Sequence, residues 1–498
     1  MSDPEPTPYD DLPEQMRVRR EKLDRLRASG VDPYPVGFPR TTTIADLRAA
    51  HPDLAPGAVT GQKVGVVGRV MLSRVAGKLC FATLRDGTAD IQLMLSLDRV
   101  GEEPLAAWKR DVDLGDHVGV EGEVVSSKRG ELSVLADRWV LTAKALRPLP
   151  DKHKGLADPE ARVRQRYVDL LVNAEARRMV EVRGSVLRSL RDTLYRHDYV
   201  EVETPVLQPL HGGAAARPFA TRLNAFDREM YLRIAIELYL KRIIVGGVER
   251  VFEIGRNFRN EGVDATHSPE FTMLEAYAAY GDYDTMAALT RELVLDSAAA
   301  VDAEVVPDGQ GGEIDLTAPW QTVTLHEAVA EALGEAVDAD TSAEQLRKYA
   351  DRHGVPLKPG WSAGDIVLEL FEKLVEHTLR APTFVRDYPV EVRPLARPHR
   401  RDPRLAEAWD LVAAGVELGT AYSELVDPTE QRRRLLEQSL LAAGGDPDAM
   451  QLDEDFLRAL EYGMPPTGGM GLGVDRLIML LTGRNIREAV LFPLLKPE

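Results

Sequence analysis

Two carboxylates face each other across a predicted hairpin in residues 409–418. If Ala413 and Ala414 form the turn, Asp410 pairs directly with Glu417 on the opposite strand. Like charges in that arrangement destabilise a hairpin, so the pair favours a bound cation. Oxygen ligands with no Cys or His nearby suit Mg²⁺, which typically also takes phosphate oxygens. The alternative is a register shifted by one residue with both acids in water, and the spacing leaves both interpretations open.

Two further acids, Glu237 and Glu424, lie among apolar neighbours in the sequence. A buried carboxylate needs a partner, and a bound ammonium group would be an economical one. An internal salt bridge to a nearby arginine explains either acid equally well. The pattern does not decide between these two partners.

A third group of chemically capable side chains lies in residues 258–277, where a strand-like run crosses a polar loop and re-enters a strand. In or beside the loop are a guanidinium, a carboxylate and an imidazole, from Arg259, Glu261 and His267. With the strand period of two, one face of the second strand carries Phe271, Met273, Glu275 and Tyr277. A solvated hairpin with a salt bridge is the alternative, but the density of these groups favours a functional site.

Composition restricts the class of protein that could hold these groups. At 498 residues the chain is long enough for two or three domains, and it has no apolar run that could span a bilayer. A single cysteine, Cys80, excludes an intramolecular disulfide framework and a multi-cysteine metal site. The N-terminus is acidic and proline-rich, unlike a signal peptide, so we expect a cytoplasmic protein without a membrane partner.

The formal net charge of −18, from 62 basic and 80 acidic residues, argues against non-specific binding of polyanions. It still allows a nucleic acid to be held by a local basic patch. Composition therefore leaves the partner open.

The N-terminal third predicts a basic helix followed by a small barrel. Residues 13–29 have helical spacing, and this helix is either a solvated arm or a basic arm beside a nucleic-acid module. Residues 63–147 predict about five short strands with a helix near 103–110, which fits a closed barrel of the OB type. Such barrels commonly bind single-stranded nucleic acid, although many bind none. A stacking ring and hydrogen-bonding groups that could do so here are Phe81, Arg69, Gln92 and Glu131.

The remaining chain predicts the elements that must position the acids and the hairpin. Residues 148–176 have the prolines and charges of a linker, and a helix follows at 174–195. The strand at 199–207 contains Pro205, which places it at a sheet edge or an interface.

The C-terminal part predicts scaffold and a second set of strands. Residues 281–380 are mostly helical, and short strands return from about residue 405. Glycines at 468–473 then lead into an apolar helix, which alone is weak evidence for phosphate binding.

Three stretches resemble the signature motifs of class II aminoacyl-tRNA synthetases: the strand ending in Thr204-Pro205, the run 258–261 with Glu270-Phe271, and the run 471–476. Within that class the chain is most similar to the lysyl-tRNA synthetases of the bacterial type, through residues 212–219, 231–235, 237–242 and 245–247. The resemblance extends from the N-terminal helix to Pro493. Several long motifs in order make it specific.

The resemblance implies an α+β fold, with an N-terminal OB-fold β-barrel and a class II synthetase catalytic domain whose antiparallel sheet is flanked by helices. The implied boundaries are a basic helical arm at 1–50, the OB-fold anticodon-binding domain at 51–150, a linker at 151–176, and the catalytic domain at 177–498 with a helical insertion near 335–380. A homodimer formed partly through the first motif is also implied. The implied reaction activates L-lysine with ATP to lysyl-adenylate, releasing pyrophosphate, and then transfers lysine to the 3′ end of tRNA, with Mg²⁺ as cofactor.

Carried over residue by residue, the resemblance assigns catalysis to Arg259 and Arg476. Arg259 would bridge the lysine carboxylate and the α-phosphate, where it stabilises developing charge. Phe271 and Arg476 would sandwich the adenine. The other residues expected to bind ATP are Glu261, His267, Glu275, Asp410, Glu417 and Gly473, with Asp410 and Glu417 also holding Mg²⁺.

The resemblance also assigns the other two partners. The residues expected to bind lysine are Gly213 and Glu237 at the α-amino group, Glu424 and Tyr277 at the ε-ammonium, Tyr422 on the aliphatic stem, and Thr420. In the barrel, Phe81 resembles the ring that stacks on an anticodon base, with Arg69, Gln92 and Glu131 as readers of the tRNA.

Some positions depart from the family's pattern. Thr420 and Val426 stand where the family often has asparagine, Ile236 replaces a proline, and Asp198 stands where the first motif usually has glycine. Asp410 is one methylene shorter than the common glutamate. None of these changes removes a charge that the chemistry needs.

Three alternatives have different sequence signatures. An aspartyl- or asparaginyl-tRNA synthetase should offer its substrate a cation or amide-binding groups, whereas this chain offers Glu424. Among paralogues that modify other molecules, protein-modifying ones lack the barrel and lipid-modifying ones add membrane spans. A non-catalytic RNA-binding or regulatory relative would be free to lose Arg259, Arg476 or the acidic pair, and all are present.

Overall fold

The computed structural model describes residue 9 and residues 11–150, 156–443 and 450–496. The chain divides into two compact units, Met1–Ala157 and Asp158–Glu498. The division falls within the linker predicted at 151–176, of which residues 151–155 lie outside the described part. From Asp158 onward, the segment predicted as linker is largely helical and belongs to the second unit.

The first unit is a closed barrel with attached helices. Its elements are α1 (Glu14–Ala28), α2 (Ile44–Ala50), β1 (Val59–Ala76), β2 (Leu79–Arg85), β3 (Asp90–Ser96), α3 (Leu97–Val100), α4 (Glu102–Asp111), β4 (His117–Ser126) and β5 (Leu132–Ala143). The strands pair in the order β1-β2-β3-β5-β4 and close on themselves. Every second residue of β2 and β3 is buried, as expected when one face of each strand lies on the barrel core. The predicted barrel and its interposed helix are confirmed.

Helix α1 is attached to the barrel unit. Leu26 joins the barrel core, and the buried Arg19 donates a hydrogen bond to the carbonyl oxygen of Ala145 at 3.0 Å. Lys22 forms an ion pair with Asp113 at 2.7 Å. Part of the positive charge of this helix is therefore neutralised within its own unit, so the segment predicted as an arm is packed onto the barrel.

The second unit is built on a large sheet. Its elements are α5 (Pro159–Arg164), α6 (Arg166–Val172), α7 (Ala174–Arg196), β6 (Val200–Glu201), β7 (Leu207–Gln208), β8 (Ala220–Leu223), β9 (Arg228–Leu232), α8 (Glu237–Val245), β10 (Arg250–Phe258), β11 (Glu270–Ala279), α9 (Tyr283–Ala299), β12 (Val305–Pro307), β13 (Glu313–Asp315), β14 (Gln321–Thr324), α10 (Leu325–Leu333), α11 (Ala343–His353), α12 (Ala363–Leu374), β15 (Thr383–Pro389), β16 (Leu405–Ala413), β17 (Val416–Ser423), α13 (Pro428–Ala443), α14 (Glu454–Glu461), β18 (Thr467–Gly473), α15 (Val474–Thr482) and α16 (Ile486–Ala489). Within the described residues, eight strands pair in the order β14-β15-β16-β17-β18-β11-β10-β6. Only the two outermost pairs, β14 with β15 and β10 with β6, are parallel there. The predicted antiparallel sheet flanked by helices is confirmed.

The hairpin predicted at 258–277 is present as the antiparallel pair β10 and β11. Helices α7, α9 and α15 pack on one face of the sheet. The strand predicted at 199–207 is interrupted: Val200–Glu201 pairs at the edge of the large sheet, as Pro205 predicted, whereas Leu207 begins β7 and pairs with β9 in a separate sheet. Among the described helices, none combines the length and the apolar character needed to cross a bilayer.

The hairpin of β16 and β17 turns one residue later than predicted. Ala414 and Gly415 form the turn, and their φ angles are 52° and 78°. Positive φ at both central positions is typical of the favoured two-residue hairpin turn. Asp410 therefore pairs with Thr420 and not with Glu417. The predicted direct pairing of the two acids is wrong.

The shift nevertheless keeps both acids on one face of the sheet. Glu417 lies opposite Val412, which is two residues from Asp410 and therefore on the same face of β16. A bulge then places Thr420, instead of Gly419, opposite Asp410. The shifted register does not expose both acids to water, contrary to the alternative that the sequence left open.

Candidate active site

A cavity of about 480 Å³ opens on the sheet face opposite helices α7, α9 and α15. On β11, Leu274 and Ala276 enter the core, while Glu275 and Tyr277 line the cavity. The cavity lining includes all the residues that the sequence predicted for lysine, ATP and metal: Gly213, Glu237, Arg259, Glu261, His267, Phe271, Glu275, Tyr277, Asp410, Glu417, Thr420, Tyr422, Glu424, Gly473 and Arg476. Their individual roles stay predictions.

Arg259 directly follows β10 and lies over the ring of Phe271. Its guanidinium carbon is 5.2 Å from the ring centre, and its Nε donates a hydrogen bond to the carbonyl oxygen of Ile234 at 3.4 Å. Burial lowers the pKa of Arg259, but an arginine stays charged at any physiological pH. The result is a fixed, partly desolvated cation, which suits an anionic ligand.

Arg476 joins three parts of the site from the first turn of α15. It donates hydrogen bonds to the carbonyl oxygen of Glu417 at 2.8 Å and to Nε2 of His267 at 3.3 Å. Nδ1 of His267 lies 2.8 Å from a carboxylate oxygen of Asp264. The tautomer with its proton on Nδ1 satisfies both contacts of the imidazole. The loop after β10, the hairpin of β16 and β17, and helix α15 are thereby linked.

Asp475 anchors the wall of the cavity. One of its carboxylate oxygens accepts a hydrogen bond from the backbone N–H of Thr272 at 2.6 Å, and the other forms an ion pair with Arg183 at 2.6 Å. Arg183 also donates to the hydroxyl of Thr272 at 2.8 Å. The aspartate therefore fixes β11 against α7 and α15.

A second buried network holds the strand end that resembles the first motif. Glu253 accepts hydrogen bonds from the backbone N–H and the hydroxyl of Thr204, at 3.0 and 2.7 Å. It also forms an ion pair with the buried Arg233 at 2.6 Å. A side chain at Gly255 would overlap the Arg233 guanidinium, so glycine is required for this close packing.

Arg393 is a cavity residue that the sequence did not indicate. Its Nη2 lies 2.5 Å from a carboxylate oxygen of Asp410, and its guanidinium carbon is 4.0 Å from the ring centre of Tyr388. Burial would lower the pKa of Arg393, but the Asp410 carboxylate raises it above the ordinary value. Arg393 lies between β15 and β16, where no spacing pattern marks it, and it meets Asp410 only in the folded chain.

The acid pair fits a metal held together with a substrate. Burial and the nearby Asp410 carboxylate raise the pKa of Glu417, so a cation is favoured beside these two acids. Arg393 already engages one oxygen of Asp410. Across the described parts of the chain, no cluster of three or more His, Cys, Asp or Glu side chains could hold a metal ion by itself. Carboxylate donors that need further ligands match Mg²⁺, which usually shares its coordination with phosphate and water.

The inner end of the cavity contains buried acids bridged by a lysine. Nζ of Lys241 lies 2.6 Å from a carboxylate oxygen of Glu237 and 2.5 Å from one of Glu424. The internal salt bridge is therefore confirmed for both acids, although the partner is a lysine and not an arginine. The second Glu424 oxygen accepts no hydrogen bond from the described residues. Burial raises the pKa of Glu424 to about 8, against the opposing effect of Lys241.

Glu275 adds a further acid to this region. It accepts hydrogen bonds from the backbone N–H of Ile236 at 3.1 Å and from the hydroxyl of Tyr277 at 3.2 Å. Burial, and then the charge of Glu237, raise the pKa of Glu275 to about 7. Three carboxyl groups thus share this region with the single ammonium group of Lys241, and a cationic ligand would favour their ionised form.

The departures from the family pattern have local explanations. The Ile236 N–H that bonds to Glu275 would be missing from a proline. Asp198 has φ of 60°, a left-handed conformation that glycine adopts most easily and aspartate tolerates. The Thr420 hydroxyl donates to the carbonyl oxygen of Trp409 at 3.2 Å, and Val426 packs in an apolar cluster beside α8.

Two of the predicted barrel residues, Phe81 and Gln92, lie on the outer faces of β2 and β3, and Glu131 directly precedes β5. Arg74 stacks on Phe81, with 5.1 Å between the guanidinium carbon and the ring centre. Gln92 donates to the Ser133 hydroxyl at 2.9 Å, and that hydroxyl donates to the backbone carbonyl of Glu131 at 2.9 Å. This chain of contacts joins Gln92 to Glu131.

Arg69 lies in β1 opposite Arg85 of β2. Arg85 and Phe81 lie on the same face of β2. Arg69 donates a hydrogen bond to the carbonyl oxygen of Gly115 at 2.7 Å, and burial lowers the pKa of Arg69. Glu131 accepts a hydrogen bond from Arg48 at 3.2 Å. The binding of RNA by these residues stays a prediction.

Comparison with known proteins identifies the class. The family model described as tRNA synthetases class II (D, K and N) matches residues 158–496, and the model described as OB-fold nucleic acid binding domain matches residues 64–142. The chain therefore belongs to the class II tRNA synthetases of the D, K and N group.

The chain is also similar to individual proteins over nearly its whole length. A lysine–tRNA ligase of Mycolicibacterium gilvum is 57% identical over 495 residues, covering 99% of each chain. One of Kineococcus radiotolerans is 56% identical over 493 residues, covering 98% of each. The lysylphosphatidylglycerol biosynthesis bifunctional protein LysX of Mycolicibacterium vanbaalenii is 55% identical over 492 residues, which are 98% of this chain but 44% of that protein.

Proposed function

We propose that this chain is a lysine–tRNA ligase, which activates L-lysine with ATP and transfers it to the 3′ end of its tRNA. The observation that carries this proposal is the acid-rich inner end of the cavity, where Lys241 bridges Glu237 and Glu424 and the buried Glu275 lies near both acids. A ligand with two ammonium groups would supply the positive charge that favours the ionised form of these three carboxyl groups. Aspartate and asparagine have no second ammonium group to offer.

The cavity supports an adenylate-forming first step. Glu237 would hold the α-ammonium and Glu424 the side-chain ammonium, so the lysine carboxylate is directed toward Arg259. A carboxylate oxygen attacks the α-phosphorus of ATP, the bond from that phosphorus to its bridging oxygen breaks, and pyrophosphate leaves with the electron pair. Arg259, fixed over Phe271, would stabilise the negative charge that develops between the carboxylate and the phosphate.

The second step uses the same cavity. A hydroxyl oxygen of the 3′-terminal adenosine attacks the carbonyl carbon of lysyl-adenylate and passes its proton to the phosphate group of the departing AMP. The bond from that carbon to the phosphate oxygen breaks, and AMP leaves with the electron pair. Positioning and charge stabilisation are sufficient for both steps, because no covalent bond to the protein is required.

Asp410 and Glu417 are the proposed Mg²⁺ ligands. When bound, the ion would neutralise phosphate charge and make pyrophosphate a better leaving group. Arg476 would cover the adenine from the side opposite Phe271, while its bonds to Glu417 and His267 keep it in place.

The other partners follow from the same proposal. The outer barrel face with Phe81 and Gln92 would bind the anticodon, by stacking and by hydrogen bonds to base edges. The short edge strand β6, next to the Thr204-Pro205 motif, would contribute to a homodimer. Because ATP and tRNA are its proposed substrates, the enzyme would work in the cytoplasm.

A charging assay tests the proposal directly. Purified protein is incubated with ATP, Mg²⁺, labelled lysine and total tRNA, and acid-precipitable label is counted with and without ribonuclease treatment. We expect ribonuclease-sensitive label that depends on ATP. Label transferred to phosphatidylglycerol or to protein, with none on tRNA, would assign the chain to a lysyl-transferring paralogue instead.

A further inference from the structure

Lys241 lies behind the cavity wall on α8 and is fully buried. Its two carboxylate partners come from different elements. Glu237 is the first residue of α8, one turn from Lys241, and Glu424 follows the last residue of β17. If the proposed function holds, these acids bind opposite ends of the substrate. The buried ammonium group of Lys241 therefore connects the two carboxyl groups that would bind the α-ammonium and the side-chain ammonium of the amino acid.

We propose that Lys241 is a positioning and specificity-determining residue: its ammonium group holds the carboxyl groups of Glu237 and Glu424 as a fixed pair for a diamino acid. This inference rests on the proposed function and extends it to a residue that never touches the substrate. Burial would lower the pKa of Lys241, but the two carboxylates raise it above the ordinary value, so the group stays an ammonium at working pH.

The charges that face the pair explain why a cation is needed there. Glu275 and the hydroxyl of Tyr277 also face this region, and burial raises the pKa of both Glu275 and Tyr277. Without Lys241, the carboxyl groups of Glu237 and Glu424 would repel each other more strongly in a region of low dielectric, so Glu424 would lose its proton only at a still higher pH. A protonated carboxyl group binds an ammonium group poorly, so the loss of Lys241 should weaken lysine binding.

The geometry also distinguishes Lys241 from a purely structural lysine. Lys144 in the barrel unit is equally buried and lies within 2.7 Å of Asp113, Asp116 and the carbonyl oxygen of Asp111. By contrast, one oxygen of Glu424 accepts no hydrogen bond from the described residues, and both Glu237 and Glu424 line the cavity. Lys241 therefore holds acids that remain available to a ligand.

Steady-state ATP–pyrophosphate exchange tests the inference with Lys241→Met, which keeps a side chain of similar length and removes its charge. Lys144→Met is the matched control, because it removes another buried lysine that pairs with two acids. We expect Lys241→Met to raise KM for lysine by roughly 100-fold or more and to leave KM for ATP within about twofold. The rise of kcat/KM for lysine with pH should move upward by about one pH unit. Lys144→Met should change thermal stability without either effect.

Lys241→Gln provides a second variant if Lys241→Met does not fold, because an amide still donates hydrogen bonds to the acids while the charge is gone. It should show the same change in KM for lysine and the same shift in pH. Values of KM and a pH profile that match those of Lys144→Met would reduce Lys241 to a structural role. Failure of the proposed function would be separate and visible earlier, since the unaltered protein would then show no lysine-dependent exchange.

Discussion

At the scale of a single side chain, Glu424 is the residue proposed to select the substrate. It is buried beside the cavity and paired with Lys241 through one oxygen, while the other oxygen has no hydrogen-bond partner among the described residues. Glu424→Gln keeps the shape and removes the charge, which leaves the substrate's ammonium without a partner. We expect KM for lysine to rise roughly 100-fold, with KM for ATP nearly unchanged. The exposed Glu461→Gln on α14 is the matched control and should behave as the unaltered protein.

Lysine affinity should depend on pH through the same acids. The pKa of Glu275 is about 7 and that of Glu424 about 8, because both are buried among other acids, chiefly Glu237. Below these values the acids carry protons that an incoming ammonium group must displace, and above them they are already charged. KM for lysine should therefore fall as the pH rises from about 6 to about 8, and calorimetry at pH 7 should detect protons released on binding. A KM for lysine that is flat across this range would contradict the assignment.

Side-chain partners were the least predictable part of the site. Glu237 and Glu424 stood out in the sequence as acids among apolar residues, but their common partner Lys241 did not, because Lys241 and Glu424 are far apart in the chain. Arg393 was missed for the same reason, since only the fold brings it to Asp410. Local patterns reveal that a charge needs a partner, whereas the identity of that partner is a property of the tertiary structure.

At the scale of elements, strand alternation predicted the hairpin of β10 and β11 and the face that points to the cavity. The same reasoning failed for the register of β16 and β17, because the turn at Ala414-Gly415 depends on backbone conformation and not on side-chain alternation. Asp410 and Glu417 still share a face of the sheet, as predicted. Moving the turn by one residue shifts each cross-strand partner near the turn by two positions, and residues two apart lie on the same face.

Strand β18 approaches its neighbours in the sheet closely at Gly469. Gly469 lies opposite Tyr277 on one side and Tyr422 on the other, and a side chain there would overlap a Glu424 oxygen and the Tyr277 ring. Gly469→Ala should therefore raise KM for lysine by at least about tenfold and lower stability, measured by exchange kinetics and thermal melting.

The matched control for this prediction is Gly184→Ala, in the exposed interior of α7, where a side chain meets open space. That change should raise the free energy of unfolding by about 0.5–1 kcal/mol and leave KM for lysine unchanged. A Gly469→Ala enzyme with ordinary lysine kinetics would contradict the tight packing of β18 against the inner acids.

At the scale of the whole molecule, the two units should separate into RNA recognition and adenylate chemistry. Phe81→Ala removes the proposed stacking ring from the barrel without touching the cavity. We expect kcat/KM for tRNA in the charging reaction to fall by roughly 10- to 100-fold, because stacking on one base is worth about 1–3 kcal/mol. Lysine-dependent pyrophosphate exchange by the same variant is the internal control and should be unaffected; a parallel loss of exchange would contradict the division of labour.

The architecture of both units was largely predictable, because barrels and amphipathic helices leave periodic patterns along the chain. The closed barrel and helix α7 match the sequence expectation closely. The segment at 159–172 has the charges and the proline that predict a linker, but it forms two short helices. Short elements bury few residues and so leave too little pattern to detect.

If the inner acids select lysine, amino-acid-dependent ATP–pyrophosphate exchange measures that selection before tRNA is involved. The purified protein is assayed with lysine, aspartate and asparagine at equal concentrations, together with a sample that contains no amino acid. We expect lysine alone to support exchange, and Glu424→Gln to reduce it. Exchange without lysine, or a preference for aspartate or asparagine, would contradict the account.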